Sequence, residues 1–190
     1  MFRLAIFGSG KGSNARRLIE HFTNHPTVKI VALVSDKPRR GFLDISFDHK
    51  INLEIIKGPE LAEKKWLNHF KLKYRPDLIV LAGFLRLIPE ELLNDYPDKI
   101  INLHPSLLPK FGGKGMYGMN VHQAVIESGE KQSGITIHFV NKEYDKGHII
   151  NQYACQVFPD DTPEILAKRI AELESKYLPE EVEKIAVACT

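Results

Sequence analysis

Short runs of consecutive apolar residues alternate with amphipathic stretches along most of this chain, and the alternation predicts an α/β fold. Arg3 to Phe7 reads as a first buried strand, closed by Gly8. Ser13 reads as the N-cap of a helix over Asn14 to His25, which Pro26 stops. Lys29 to Ser35 is a second buried strand, followed by the turn-rich Asp36-Lys37-Pro38-Arg39-Arg40-Gly41. A helix over Phe42 to Lys50 and a short strand over Leu53 to Ile56 come next. Pro59 opens a helix on which Ala62, Trp66, Phe70 and Tyr74 fall four apart on one face. Leu78 to Ala82 is wholly apolar, as a central parallel strand covered on both faces requires. A short helix from Pro89 precedes the strand Lys99 to Leu103. About five strands joined by helical crossovers make a doubly wound, mostly parallel sheet.

After Pro109 the texture changes. Phe111-Gly112-Gly113-Lys114-Gly115-Met116-Tyr117-Gly118 is glycine-rich and has no periodicity. Val121 to Ser128 reads as a helix, and Gly134 to Phe139 and Ile149 to Val157 as strands joined by Asn141-Lys142-Glu143-Tyr144-Asp145-Lys146-Gly147. Thr162 and Pro163 start a final helix with Leu166, Ile170, Leu173 and Tyr177 at helical spacing. No internal repeat or linker interrupts the pattern, so residues 1–190 are expected to form a single domain.

Composition narrows the partners. The 43% hydrophobic and 26% charged content is that of an ordinary globular protein, and no apolar run reaches a membrane-spanning length of roughly 18 residues. The Phe2 to Phe7 run is too short for a secretory core, which places the protein in the cytoplasm. Net charge is +2 with cations spread along the chain, so neither a nucleic-acid nor a membrane partner is expected, and small-molecule substrates are. Cys155 and Cys189 match no metal spacing and read as free thiols. His21 and His25 lie four apart, His25 precedes Pro26 at the helix end, and with no acidic third ligand expected nearby they read as solvated helix-end residues.

In an open parallel sheet, ligands bind beyond the carboxyl ends of the strands. Gly8 to Asn14, Gly83 to Ile88 and Asn102 to Pro109 all follow strands and so share that edge. Gly8-Ser9-Gly10-Lys11-Gly12-Ser13-Asn14 offers free N–H groups ahead of a helix N-terminus, an arrangement that favours a phosphate. It is not a Walker loop, and it matches the dinucleotide fingerprint only in part, because Ser13 takes the third glycine place. Asp36 after the second strand is placed for a ribose hydroxyl, which keeps a non-catalytic nicotinamide- or nucleotide-binding module open. Asn102 and His104 are two apart on one strand face and so point at one place, while Pro105 and Pro109 stiffen the exit. Two convergent donors suit a carbonyl oxygen turning into an oxyanion, and suit equally a strand end satisfied by backbone. Taken alone, Asp145 reads as a turn carboxylate and Glu174 as one glutamate among many on a helix surface.

The string Asn102-Leu103-His104-Pro105-Ser106-Leu107-Leu108-Pro109 resembles the signature of the folate-dependent formyltransferases. Gly8 to Asn14, Leu81-Ala82-Gly83-Phe84-Leu85-Arg86, His138 and Asp145 resemble the purine-pathway branch of that family, and the likeness runs from about Arg3 to the final helix. It implies a Rossmann-like fold and transfer of the formyl group of 10-formyltetrahydrofolate, a co-substrate, to the amine of 5'-phosphoribosylglycinamide, without metal, by a monomer or homodimer. It implies that Gly10, Lys11, Gly12, Ser13, Asn14 and Glu174 hold the phosphoribosyl substrate. Leu85, Arg86, Leu87, Ile88 and Asn102 would hold the folate. Asn102 and a protonated His104 would stabilise a tetrahedral oxyanion, with Asp145 raising the imidazole's pKa and His138 supporting the site. The rival within the family is a formyltetrahydrofolate hydrolase with water as acceptor; that branch and the tRNA-formylating one carry further domains, not expected within these 190 residues. The chain departs from the family pattern twice. Glu60 falls where an arginine is common near the folate tail, and Phe111 to Met119 is longer and richer in glycine than the usual Pro-Gly turn; the segment reads either as an idle insertion or as a lid from which Lys114 would reach the substrate phosphate or the folate tail.

Overall fold

In the computed structural model, which describes residues 1–38 and 40–189, the apolar runs become β1 (Phe2–Phe7), β2 (Val28–Ser35), β3 (Leu53–Ile55), β4 (Leu78–Leu81) and β5 (Ile100–His104). These five pair in parallel in the order β3-β2-β1-β4-β5. The antiparallel β6 (Gln132–Phe139) and β7 (Ile149–Gln156) extend the sheet beyond β5. The short turn between them has no room for a crossover helix, so the chain must reverse direction there. The α/β, mostly parallel sheet is the one the sequence pattern calls for.

The helices are α1 (Ser13–Phe22), α2 (Arg40–His49), α3 (Lys64–Tyr74), α4 (Glu90–Asp95), α5 (Met119–Glu127) and α6 (Pro163–Ala188). They cover both faces of the sheet, and the pleat sorts the strands between two cores. Leu4 and Ile6 of β1 join Leu18, Phe22, Phe42 and Leu166 in one core. Ala5 and Phe7 join Leu67, Phe70, Tyr74 and Ile79 in the other. A strand buried on both sides has no polar alternation, which is why these strands read as unbroken apolar runs.

Three local expectations change. Ser13 is not the N-cap: Gly12 takes that place in the left-handed region (φ 80°), and no side chain caps α1. The helix expected from Pro59 is two pieces. A 3₁₀ turn over Gly58–Ala62 buries Leu61 in the core, and Glu63 is extended before α3 begins. Trp66, Phe70 and Tyr74 still share a face, with Trp66 stacked on Phe70 at 4.9 Å. His21 and His25 do have an acid: Glu183 of α6 meets them at 2.8 and 3.2 Å, a partner hidden by its distance along the chain. Arg39, in the turn expected over Asp36 to Gly41, lies outside the described residues.

Candidate active site

The loops leaving β1, β4 and β5 meet at the carboxyl edge of the sheet because those strands are neighbours there. Ser9 ties the first two together: its N–H donates to the Gly83 carbonyl at 3.0 Å, and its buried hydroxyl accepts the Leu85 N–H at 3.1 Å. Around them opens a cavity of about 620 Å³, within the range of small-molecule sites. Every residue that the family resemblance assigns to the site lines it. Gly10 to Asn14 and Glu174 form one wall, Leu85 to Ile88 a second, and Asn102, His104, His138 and Asp145 a third.

On the first wall, the uncapped N-terminus of α1 leaves its first-turn N–H groups to whatever occupies the cavity. Asn14 donates to Glu174 Oε2 at 3.0 Å, joining α1 to α6. Burial pushes the Glu174 carboxyl above its ordinary value, and the Asn14 hydrogen bond offsets only part of that.

The third wall follows from strand register. Asn102 of β5 faces His138 of β6 directly. His138 Nδ1 donates to the Phe139 carbonyl at 2.7 Å, so its Nε2 is free to accept an amide hydrogen of Asn102 at 3.1 Å. The other Asn102 hydrogen meets Asp145 Oδ1 at 3.3 Å, so the amide is held in one orientation with both hydrogens engaged. Asp145 sits in the β6–β7 turn at φ 56° and is not a solvated turn carboxylate: its side chain is only 11% exposed. Its Oδ2 accepts the Gly113 N–H at 2.9 Å and lies 3.5 Å from His104 Nδ1. His104 Nε2 donates to the Phe111 carbonyl at 2.8 Å.

These contacts correct one expectation. Burial is the largest influence on His104, and it outweighs the pull of Asp145 and of the Phe111 carbonyl, so the imidazole's pKa falls below 6.5 instead of rising. The resting ring is neutral at pH 7. Burial also pushes Asp145 up, but His138, the charge on His104 and the Gly113 N–H together hold it below 3.8. The site therefore rests as a carboxylate beside a neutral imidazole.

Three contributors escape the sequence reading. Phe111 and Gly113 act through backbone groups, which no side chain announces; the signal at Gly113 is its φ of 97°, which calls for glycine. His122 of α5 is buried on the cavity wall, has an enclosed Nδ1 without a partner among the described residues, and has its pKa pushed down by burial and by the nearness of His104. A histidine beside Val121 and Val125 on the apolar face of a helix was the available sign. Two residues do not reach the cavity. Asp36, expected near a ribose, is taken by Arg86 Nε at 2.8 Å. Glu60 folds back onto its own Lys57 N–H at 2.8 Å.

Residues 2–182 match the family described as formyl transferase. A chloroplastic phosphoribosylglycinamide formyltransferase of Arabidopsis thaliana is 43% identical over 98% of this chain and 65% of its own length. The counterpart from Vigna unguiculata is 41% identical over 96% of this chain and 60% of its own. The chain thus spans less than two thirds of these plant relatives. The crystal structure of phosphoribosylglycinamide formyltransferase from Anaplasma phagocytophilum superposes with a TM-score of 0.87 at 34% identity, covering 98% of this chain and 87% of that one. With a family match across nearly its whole length and a shared fold at that identity, this chain belongs to the formyl transferase family.

Proposed function

We propose that this chain, as one formyltransferase domain over residues 1–190, transfers the formyl group of 10-formyltetrahydrofolate to the primary amine of 5'-phosphoribosylglycinamide in the cytoplasm. The observation that carries the reading is that a single cavity holds an uncapped helix N-terminus on one wall and the Asn102, His104 and Asp145 cluster on another. The first suits a phosphate, the second a reacting carbonyl. Gly10 to Asn14 hold the phosphate, Glu174 the rest of that substrate, and Leu85 to Ile88 a flat heterocycle between apolar side chains and backbone.

The amine attacks the formyl carbon, its lone pair forms the new C–N bond, and the carbonyl electrons move to oxygen. Asn102 donates an amide hydrogen to that oxygen by exchanging one of its two resting partners. The neutral His104 takes the proton shed by the attacking nitrogen at Nδ1, where Asp145 Oδ2 stabilises the new charge. The same proton then passes to the departing folate nitrogen as the C–N10 bond breaks and the C=O bond re-forms. No proton is gained or lost overall, and the imidazole ends neutral, as it began. His138 keeps Asn102 in the orientation this requires.

The test is a spectroscopic formyl-transfer assay. Tetrahydrofolate product is expected only when phosphoribosylglycinamide is present. Equal release with water alone makes the protein a hydrolase, and reduction of a nicotinamide overturns the reading.

A further inference from the structure

Three glycines lock the phosphate-side loop against α2, a helix that takes part in no step above. At Gly8 a methyl group would stand 2.5 Å from Phe42 Cζ, and at Gly12 it would stand 2.6 Å from Ile45 Cδ1. Phe42 and Ile45 are both buried and occupy the space that side chains at Gly8 and Gly12 would take. The third contact runs the other way. Gly41, in the first turn of α2, lies so close to the loop that a methyl group there would run into the Lys11 carbonyl oxygen and stand 2.6 Å from its carbon. The two segments therefore interlock, with α2 supplying two pegs and one recess.

A peptide unit is planar and trans, so its C=O and N–H point opposite ways. With the Lys11 carbonyl held against Gly41, the Gly12 N–H is turned away from α2, and both Lys11 and Gly12 line the cavity. Among the described residues the N–H groups of Lys11, Gly12 and Ser13 have no protein acceptor. A loop with this little side chain has nothing of its own to keep those donors aligned. We propose that α2 is the back plate of the phosphate cradle and that Gly41 is a positioning residue, its missing side chain letting the helix hold the Lys11–Gly12 peptide with its N–H toward the phosphate of the acceptor substrate. The inference rests on the proposed reaction only for the identity of that substrate. Holding the peptide removes backbone freedom before binding, so affinity for the phosphate rises without any new contact to it.

The test compares Gly41→Ala, Ile45→Val and, on the exposed face of the same helix, Leu43→Ala in the whole protein, with melting temperature recorded for each. The KM for 5'-phosphoribosylglycinamide is expected to rise about tenfold in Gly41→Ala, the scale of one hydrogen bond to a charged group, while kcat stays within about twofold. For ribosylglycinamide, which lacks the phosphate, KM should not move. An equal rise for both acceptors overturns the proposal, because a merely structural role would not single out the phosphate. Ile45→Val removes Cδ1, the peg beside Gly12, without adding bulk, and should move the ratio of the two KM values the same way by a smaller factor. No change there overturns the proposal even if Gly41→Ala fails to fold. Leu43→Ala should match the wild type, and a shift equal to that of Gly41→Ala overturns the role given to the inner face. A readout free of turnover is the Gly12 amide resonance during titration with inorganic phosphate: Gly41→Ala should need about tenfold more phosphate than the wild type to reach saturation. Equal affinity in the two overturns the inference, as does a wild-type amide that ignores phosphate. A wild type that shows the response but transfers no formyl group overturns the reaction and leaves the back plate supported.

Discussion

His104 stands between two groups that can only accept, the Phe111 carbonyl and the Asp145 carboxylate, inside a pocket whose burial resists charge. Geometry asks for an imidazolium and desolvation refuses it until a proton arrives from the substrate. The depressed His104 pKa fixes the pH behaviour: protonation in the free enzyme removes the acceptor, so kcat/KM should fall as pH drops below about 6.5 through the depressed value. A rate that instead rises into acid would restore a resting imidazolium as the working form. His104→Ala and Asp145→Asn should each lower kcat by roughly 10²-fold or more with small changes in KM, and the double variant should lose little beyond the worse single one. Fully additive losses would mean that Asp145 works apart from His104. At this scale Asn102 and His104 were legible because a strand puts residues two apart on one face. The sign of the His104 shift was not, because it depends on how deeply the ring is enclosed.

The elements that carry the chemistry are two turns as much as a strand. The β6–β7 turn delivers Asp145 only because Gly147 lies against the end of β6; a methyl group there would stand 1.6 Å from the Phe139 carbonyl oxygen. Gly147→Ala should destabilise the fold by roughly 1–3 kcal/mol through overpacking and lower kcat by moving Asp145, both read from denaturation and steady-state kinetics. Wild-type stability with wild-type kcat would show that the turn relaxes freely. The glycine-rich segment is pinned at its start by the Gly113 N–H on Asp145, while Lys114 to Gly118 line the same cavity as the N-terminus of α1. If it closes over substrate, shortening it between Phe111 and Met119 should raise one KM and increase hydrolysis, and amide exchange across Gly112 to Gly118 should slow in the ternary complex. Unchanged kinetics and exchange would leave it a tolerated insertion. Periodicity located nearly all the helices and strands, yet ran the Pro59 helix straight through Glu63, because apolar spacing cannot register the backbone kink that buries Leu61.

Across the whole molecule, the parallel order of β1, β4 and β5 brings three loops to one edge. That was readable from strand and helix alternation; the pairing of α1 with Glu183 of α6 was not, since nothing local encodes it. Gathering titratable groups in one enclosed site makes stability depend on pH with a sign that can be worked out. His104 and His122 both have folded pKa values below the 6.5 of a free histidine, so the native state binds protons less readily than the unfolded chain. Their contribution is complete above that value and is lost as pH falls toward the depressed ones. Asp145, held below 3.8, loses its contribution only at lower pH still. Glu174 is raised above 4.5 and works oppositely: its stabilisation is present in acid and fades as pH rises through its folded value. In the window set by the histidines, the melting temperature should therefore drop from about pH 7.5 to about pH 5.5. His122→Gln removes one of the two groups and should flatten that slope while keeping a polar side chain at the cavity wall. A slope identical to wild type would mean that His122 is protonated as easily in the folded protein as in the unfolded chain, and that its enclosed Nδ1 finds a partner in solution.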